Sequence, residues 1–181
     1  VKAARAKPGA LTYATFGAGS APHLSGALFA QAIEARLQDV PYRGSAPAIQ
    51  DLIGGHLAFM LDSAPTGLAQ VKAGTVRLLA TTMAQRLPQT PDTPAIAEQV
   101  PGYEAYTWNA VFAPAGTPPA LIARLQSSLQ ATVDDAGLQK KAYDMGLVLE
   151  KQPRPQALAA FLKQELDKWG KVARAAHMSA N

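Results

Sequence analysis

The sequence predicts an α/β fold in which helices flank a mostly parallel sheet. Short apolar runs alternate with longer stretches that carry apolar residues at helical spacing, as they do in βαβ units. The stretches between the runs are long enough to be helical crossovers, which make neighbouring strands parallel. Gly54, Gly55 and Gly74 follow these stretches, at positions where helix C-terminal caps belong.

The first part of the chain is predicted to hold most of the sheet. Strands are predicted at residues 11–16, 37–42, 57–61 and 76–81, and helices at 23–36, 46–53 and 66–73. The opening letters VKAARAKPG are typical of the end of a helix and carry no secretory signal. We therefore expect a further segment to precede them.

The second part of the chain is predicted to contain more helix. Proline-rich residues 86–102 indicate a surface connection with at most one short helix. Strands are predicted at 106–112 and 147–150, and helices at 119–132 and from 155 to about 176. The last helix has an apolar stripe that needs a partner surface, made of Leu158, Phe161, Leu162, Leu166, Trp169, Val172 and Ala173. Trp108 and Phe112 are expected to pack in the core.

The composition excludes several classes of protein. A hydrophobic fraction of 48% with 17% charged residues and a net charge of +4 indicates a folded chain with a real core. The absence of cysteine excludes a disulfide scaffold, a thiolate zinc site and a cysteine nucleophile. The basic residues are dispersed and do not favour nucleic-acid binding. No apolar stretch approaches the roughly 20 residues that span a bilayer. The three histidines lack metal-ligand spacing, so neither a metal nor a cofactor is predicted.

The triplet Ser-Ala-Pro occurs at residues 20–22, 45–47 and 63–65, each time between a predicted strand and a predicted helix. Serine suits the N-cap because its hydroxyl can accept a hydrogen bond from a first-turn N–H, and proline is tolerated in that turn. In a parallel sheet these helix starts would share one edge, where free N–H groups and helix dipoles favour an anion such as a small carboxylate. The alternative is that the triplet is only a capping device.

Other residues beside these turns have open roles. Asp62 could accept a hydrogen bond from a ligand or serve as a turn residue, and Arg43 could pair with a ligand carboxylate or stay exposed. His23 could cap the turn or line the cleft. The Gly-Ala-Gly turn at 17–19 lets the backbone approach a ligand, but Pro22 stands where a dinucleotide fingerprint needs glycine. A Ser20–His23 nucleophile pair is the catalytic alternative, and the sequence places no acid partner for it.

Five segments carry a resemblance to a known family. They are YATFGAGSAPHLSGALF, VPYRGSAPAIQDLIGGHLAFMLDSAP, VKAGTVRLLATT, PGYEAYTWNAVFAPAGTPPALIARL and LDKWGKV. Together they resemble the tripartite tricarboxylate transporter receptors, also called the Bug family, which are periplasmic solute-binding proteins. The resemblance implies a non-enzymatic receptor with a type II periplasmic binding fold, whose two lobes clamp a small organic carboxylate. It also implies a periplasmic location and a membrane permease as partner.

The resemblance further implies a division of the chain and a set of site residues. Residues 1–107 correspond to lobe two and 108–181 to the C-terminal part of lobe one, whose N-terminal part has no counterpart here. Implied ligand-binding positions, where backbone amides would hold a carboxylate, are Thr15, Gly17, Gly19, Ser20, His23, Tyr42, Arg43, Gly44, Ser45, Ala46 and Asp62.

Two departures and one alternative accompany the resemblance. Related sequences often have a glycine turn where this chain reads AIEARLQDV, which puts the helix end near Arg36 in doubt. Phe16 stands where a small polar residue is common, and it could narrow the pocket or favour an aromatic ligand. Ligand-sensing domains of LysR-type transcription regulators share the two-lobed architecture, but they need a helix-turn-helix segment upstream.

Overall fold

A three-stranded parallel sheet confirms the predicted α/β class. The computed structural model describes residues 1–151 and 155–178. The strands are β1 (Thr12–Thr15), β2 (Gln38–Pro41) and β3 (Phe59–Met60), arranged in the order β2-β1-β3. Thr12 pairs with Gln38 and Tyr13 with Phe59, and both pairings are parallel. The carboxyl ends of the three strands therefore meet at one edge of the sheet.

Seven helices complete the described part of the chain. They are α1 (Lys2–Ala6), α2 (Ala21–Ala32), α3 (Ser45–Ile53), α4 (Ala64–Lys72), α5 (Pro119–Asp134), α6 (Ala136–Asp144) and α7 (Pro155–Ala175). The proline-rich connection holds one short 3₁₀ helix, Ile96–Glu98, as predicted. Gly55 and Gly74 have φ values of 76° and 71° just after α3 and α4, which confirms the predicted C-terminal glycine turns.

Two apolar clusters hold the helices on the sheet. The first is built on Ile33, Val100 and Tyr103, and Trp169 packs against it. The second is built on Ala14, Ala48 and Leu57. The side chain of Phe16 packs against this second cluster, which accounts for an aromatic residue at the end of β1.

The contact between α2 and β1 is close because α2 contains Gly26. A Cβ atom at Gly26 would overlap the ring of Tyr13, which is buried on β1. Burial, with a smaller contribution from the charge of Asp39, raises the pKa of Tyr13 to about 12. The missing side chain at Gly26 thus makes room for a buried aromatic ring.

Helix α2 ends four residues earlier than predicted. The helix stops at Ala32, and Glu34 adopts a left-handed backbone with a φ of 49°. An L-residue is disfavoured in that conformation, which glycine adopts freely. Glu34 therefore makes the turn after α2 in a backbone conformation that suits glycine better.

Three predicted strands do not form. Residues 76–81, 106–112 and 147–150 lie outside regular structure, apart from a single bridge between Thr81 and Ala95. A strand needs a neighbouring segment to accept and donate backbone hydrogen bonds, and no described residue pairs with most of these positions. All three segments instead line one large, open cavity of about 2420 Å³.

The second part of the chain differs from the prediction in three further ways. Phe112 is 65% exposed and Trp108 is 37% exposed, so neither is a core residue. Leu166, expected on the apolar stripe of α7, is 74% exposed, whereas Val172 is buried and α7 packs against α2. Helix α6 was not predicted, although its N-cap Asp135 accepts a 2.7 Å hydrogen bond from the Leu138 N–H. None of the described helices is long and apolar enough to cross a membrane.

Candidate ligand-binding site

The turns that follow the three strands share one edge of the sheet. Thr15 at the end of β1 pairs with Pro41 at the end of β2, and Ala14 pairs with Met60 at the end of β3. The chain then enters turns at residues 16–20, 42–44 and 61–63, each of which leads into a helix. We call this set of turns and helix starts the rim. The structure thus brings together the three segments that carry the Ser-Ala-Pro triplets.

The helix starts at the rim have no side-chain caps. Ser20 and Ser63 are the N-cap residues of α2 and α4, but the N-cap of α3 is Gly44, so Ser45 is already its first helical residue. No side chain in the described structure accepts a cap hydrogen bond from the first turn of these helices. The prediction that the serine hydroxyls cap the helices is therefore wrong. The first-turn N–H groups, which have no intrahelical partner, stay available to a ligand.

The Ser20 hydroxyl stabilises its own turn instead. It accepts a 3.1 Å hydrogen bond from the Phe16 N–H and donates one of 2.8 Å to the Gly17 carbonyl oxygen. His23 Nδ1 accepts a hydrogen bond from the Gly19 N–H at 3.2 Å, which fits the predicted capping role of His23. Because both of these side chains bond the backbone of the turn, the structure does not link the Ser20 hydroxyl to His23 as a nucleophile and base.

Asp62 connects the turn after β3 to the start of α3. Its Oδ2 atom accepts hydrogen bonds from the Ser45 hydroxyl at 2.9 Å and from the Thr66 hydroxyl at 2.6 Å. The Ser63 and Thr66 hydroxyl oxygens are 2.9 Å apart. Since the single proton of Thr66 goes to Asp62, Ser63 is the donor in that contact. The carboxylate is thereby matched with two donors at the rim.

Glycines keep the rim open to an incoming molecule. Gly17 and Gly44 have φ values of 102° and 105°, in the left-handed region that L side chains rarely adopt. Beyond the glycine and its two chain neighbours, no atom lies within 4 Å of the position that a Cβ would take at either residue. Backbone strain, rather than lack of space, therefore accounts for glycine at these two positions.

The remaining predicted site residues take different positions. Thr15 is 1% exposed, so its side chain is part of the core beneath the rim, while its carbonyl oxygen accepts a 2.8 Å hydrogen bond from the Tyr42 N–H. The Tyr42 hydroxyl donates to Asp51 Oδ2 at 2.8 Å, and this hydrogen bond, more than burial, raises the Tyr42 pKa. Arg43 and Ala46 are exposed at the rim.

Sequence reasoning missed Thr66 and the separate role of Ser63. The signal was a hydroxyl residue four positions after a strand-end aspartate, in Asp-Ser-Ala-Pro-Thr. That spacing brings the two side chains together across the first turn of α4. No group of three or more His, Asp or Glu side chains that could hold a metal ion occurs in the residues the structure describes.

Comparison with known proteins identifies the family. The sequence model of one protein family, described as the tripartite tricarboxylate transporter family receptor, matches residues 1–178 of this chain. The chain belongs to this receptor family. The family resemblance read from the five segments is confirmed.

Curated relatives match nearly the whole length of the chain. A UPF0065 protein from the tcbD-tcbE intergenic region of Pseudomonas sp. strain P51 is 37% identical, over 100% of this chain and 54% of that protein. BugT of Bordetella pertussis is 31% identical, over 94% of this chain and 52% of its own length. The chain thus spans about half the length of these relatives.

Solved structures of receptors resemble the chain closely. An R. palustris protein solved with adipate is 34% identical with a TM-score of 0.84, and the match covers 98% of this chain and 60% of that one. The periplasmic binding protein BugD is 31% identical with a TM-score of 0.81, covering 99% and 61%. MatC of Rhodopseudomonas palustris, solved with bound malate, is 28% identical with a TM-score of 0.75, covering 91% and 57%. The fold is therefore that of the periplasmic binding proteins.

Proposed function

We propose that this chain provides part of the ligand-binding cleft of an extracytoplasmic receptor, which captures a small organic carboxylate for a tripartite tricarboxylate-type transporter. The observation that carries the proposal is the rim, where three uncapped helix starts meet at one sheet edge. Family membership supports the receptor role, and the adipate and malate bound by two relatives support the ligand class.

The energetics of the rim suit a small anion. Hydrogen bonds to a charged group contribute about 1.5–3 kcal/mol each, and a helix dipole adds about 0.3–1 kcal/mol. Several such donors reach the roughly −8 kcal/mol of micromolar affinity. Arg43 is exposed at the same edge and adds a positive charge without a large basic patch. Hydrogen bonds from backbone N–H groups to the ligand carboxylate thus supply the binding energy, so a net charge of only +4 is sufficient.

The large cavity is not proposed as the ligand site. Its volume of about 2420 Å³ exceeds the roughly 300–1,000 Å³ of ordinary ligand pockets. Exposed apolar side chains line it, including Leu79, Val111 and Val148. We infer that residues 1–107 form lobe two and that residues 108–181 contribute to lobe one. Side chains of both ranges line the cavity, which borders the rim at Asp62 and Ser63.

The implied partners follow from the same family membership. We propose a periplasmic location and docking of the loaded receptor on membrane permease subunits. The receptor role is non-enzymatic, and the ligand leaves unchanged. The bonding of Ser20 and His23 to the turn backbone supports this assignment over a serine hydrolase.

Calorimetric titration of the gene product with adipate, malate and a set of aromatic carboxylates tests the proposal. We expect micromolar binding of at least one carboxylate. The neutral amide of the same acid should not bind, because the rim recognises the anion. The affinity should weaken only modestly with salt, since oriented N–H groups rather than net charge carry the site. A folded protein that binds none of these carboxylates would contradict the proposal. Ester turnover that disappears in Ser20→Ala would favour a hydrolase instead.

A further inference from the structure

The buried carboxylate of Glu165 on α7 accepts hydrogen bonds from both tryptophans of the chain. Glu165 is 8% exposed, and its Oε2 atom accepts hydrogen bonds from Trp169 Nε1 at 2.8 Å and from Trp108 Nε1 at 3.2 Å. Lys168 Nζ lies 2.7 Å from Oε1. The sequence contains two tryptophans, and both of their indole N–H groups donate to this one oxygen atom.

Glu165, Trp108, Trp169 and Lys168 form a cluster in which the carboxylate has hydrogen-bond donors and a neutralising positive charge. Burial alone would raise the pKa of Glu165, but the hydrogen bonds from Lys168, Trp169 and Trp108 outweigh burial and lower it. The Lys168 ammonium also lies over the Trp169 ring, 4.6 Å from its centroid, and 5.8 Å from the centroid of Tyr106. A charged, buried carboxylate with three donors is a rigid anchor, because moving any partner leaves a polar group unmatched.

Trp108 is the one member of this cluster that does not lie on α7, so no regular element of its own fixes its position. It lies in the segment 106–112, which forms neither helix nor strand. Its ring packs edge-to-face on Phe161 of α7 at a centroid distance of 5.3 Å, and its indole N–H reaches Glu165. These two contacts, both with α7, orient a ring that is still 37% exposed.

The same cluster borders the rim. Trp108, Glu165 and Trp169 line a small depression together with Ala18 and Gly19, which belong to the turn after β1. Helix α7 also packs on α2, which starts directly after that turn. The carboxylate of Glu165 thus lies between the segment 106–112 and a turn that we propose as part of the ligand site.

We propose that Glu165 is a positioning residue that holds the indole of Trp108 beside the turn at residues 17–20, and so couples ligand binding at the rim to the segment 106–112. The coupling rests on the proposed receptor function, whereas the positioning of Trp108 does not. Glu165 acts through Trp108 and the turn and does not touch the ligand itself.

The two tryptophans make the proposal measurable by fluorescence. In the 181-residue chain carrying Trp169→Phe, Trp108 is the one remaining tryptophan, and excitation selective for indole reports on its ring. Adding Glu165→Leu should shift its emission to the red and increase its quenching by acrylamide, because the ring loses its anchor and becomes more exposed. The conservative Glu165→Gln keeps an acceptor oxygen and should restore most of the original emission. Asp167→Asn on the same helix is the matched control, since the side chain of Asp167 is exposed and pairs with Lys163.

Binding measurements separate the two parts of the proposal. Loss of the anchor should weaken carboxylate binding about tenfold in Glu165→Leu, with partial recovery in Glu165→Gln and no change in Asp167→Asn. Unchanged Trp108 emission in Glu165→Leu and Glu165→Gln would overturn the positioning role. Altered emission with unchanged affinity would overturn the coupling. If the parent protein binds no carboxylate, the proposed function and the coupling fail together, while the emission data still decide the positioning role. Should Glu165→Leu not fold, Glu165→Gln is compared with Asp167→Asn: the neutral amide is a weaker acceptor, so it should leave Trp108 emission slightly red-shifted and carboxylate affinity slightly reduced. Emission equal to that of the control would overturn the positioning role, and equal affinity would overturn the coupling.

Discussion

The Ser45 hydroxyl donates a 2.9 Å hydrogen bond to Asp62 Oδ2 and thereby joins the start of α3 to the turn after β3. The strands before these two segments, β2 and β3, do not touch each other, because β1 lies between them. The bond therefore crosses the carboxyl end of β1 and ties two helix starts of the rim together.

Removing this link should weaken both the rim and the fold. Asp62→Ala leaves the Ser45 and Thr66 hydroxyls without their acceptor, so we expect a loss of about 1–3 kcal/mol in the free energy of unfolding. Carboxylate affinity should fall as well, because the two helix starts lose their fixed separation. Asp92→Ala, at an exposed position in the proline-rich connection, serves as the control and should stay within about 0.5 kcal/mol. Urea unfolding and calorimetry measure the two effects, and an unaltered Asp62→Ala protein would contradict the role of the link.

The backbone of Gly44 provides a second test of the rim. Gly44→Ala places an L-residue at a φ of 105°, and we expect a destabilisation of about 1–3 kcal/mol together with weaker carboxylate binding. Gly67→Ala in α4 is the matched control. Its nearest contact would be Asp62 Cβ at 3.9 Å, so the substitution should be neutral or stabilise the protein by up to about 1 kcal/mol. The melting temperature should therefore fall in Gly44→Ala and stay level or rise in Gly67→Ala. Equal melting temperatures of the two variants would refute the role of the left-handed conformation.

The left-handed turn after α2 should improve with glycine. Glu34 has a φ of 49°, so Glu34→Gly relieves a conformation that L-residues disfavour and should stabilise the protein by up to about 1 kcal/mol. Gln31→Gly, three residues earlier inside α2, should instead cost about 0.5–1 kcal/mol. Denaturant midpoints of the two variants measure the contrast. A destabilised Glu34→Gly protein would show that the Glu34 side chain contributes more than the backbone costs.

An exposed ion pair gives the proline-rich connection a pH-dependent contribution. Arg86 and Glu98 are 2.7 Å apart, and the Arg86 hydrogen bonds, followed by that from the Ala95 N–H, lower the pKa of Glu98 from 4.5 to about 2. Because the folded-state pKa is depressed, the contribution to stability is complete above about pH 4.5 and is lost as the pH falls towards 2.

Glu98→Gln tests this contribution directly. The variant should unfold at a lower temperature than the parent at neutral pH, and the difference should shrink as the pH falls through the range between 4.5 and about 2. Glu34→Gln, at an exposed glutamate in another turn, is the control and should stay within about 0.5 kcal/mol of the parent at neutral pH. A difference in melting temperature that stays constant down to pH 2 would contradict the assignment.

Local patterns predicted the three strands that form and failed for three that do not. Residues 12–15, 38–41 and 59–60 pair with one another, so their apolar runs find hydrogen-bonding neighbours. Residues 76–81 have an equally apolar pattern but only one bridge, at Thr81. Strand propensity describes a side-chain pattern, whereas a strand exists only where a second segment lies alongside it. Helix α6 was missed because its local pattern is weak although the helix forms. Its short span includes Gly137, which lowers helix propensity despite the Asp135 cap.

The sequence by itself determined the order of strands and crossovers, the glycines that need positive φ, and hence the sheet edge at which the rim lies. These features depend on periodicity and on local backbone sterics, which act within a few residues. Only the tertiary structure decided the partners of the polar side chains. Ser45 and Asp62 are 17 residues apart, and Trp108 and Glu165 are 57 apart. Such pairs depend on how helices pack on the sheet and on the direction of each side chain, and no local pattern in the sequence encodes either.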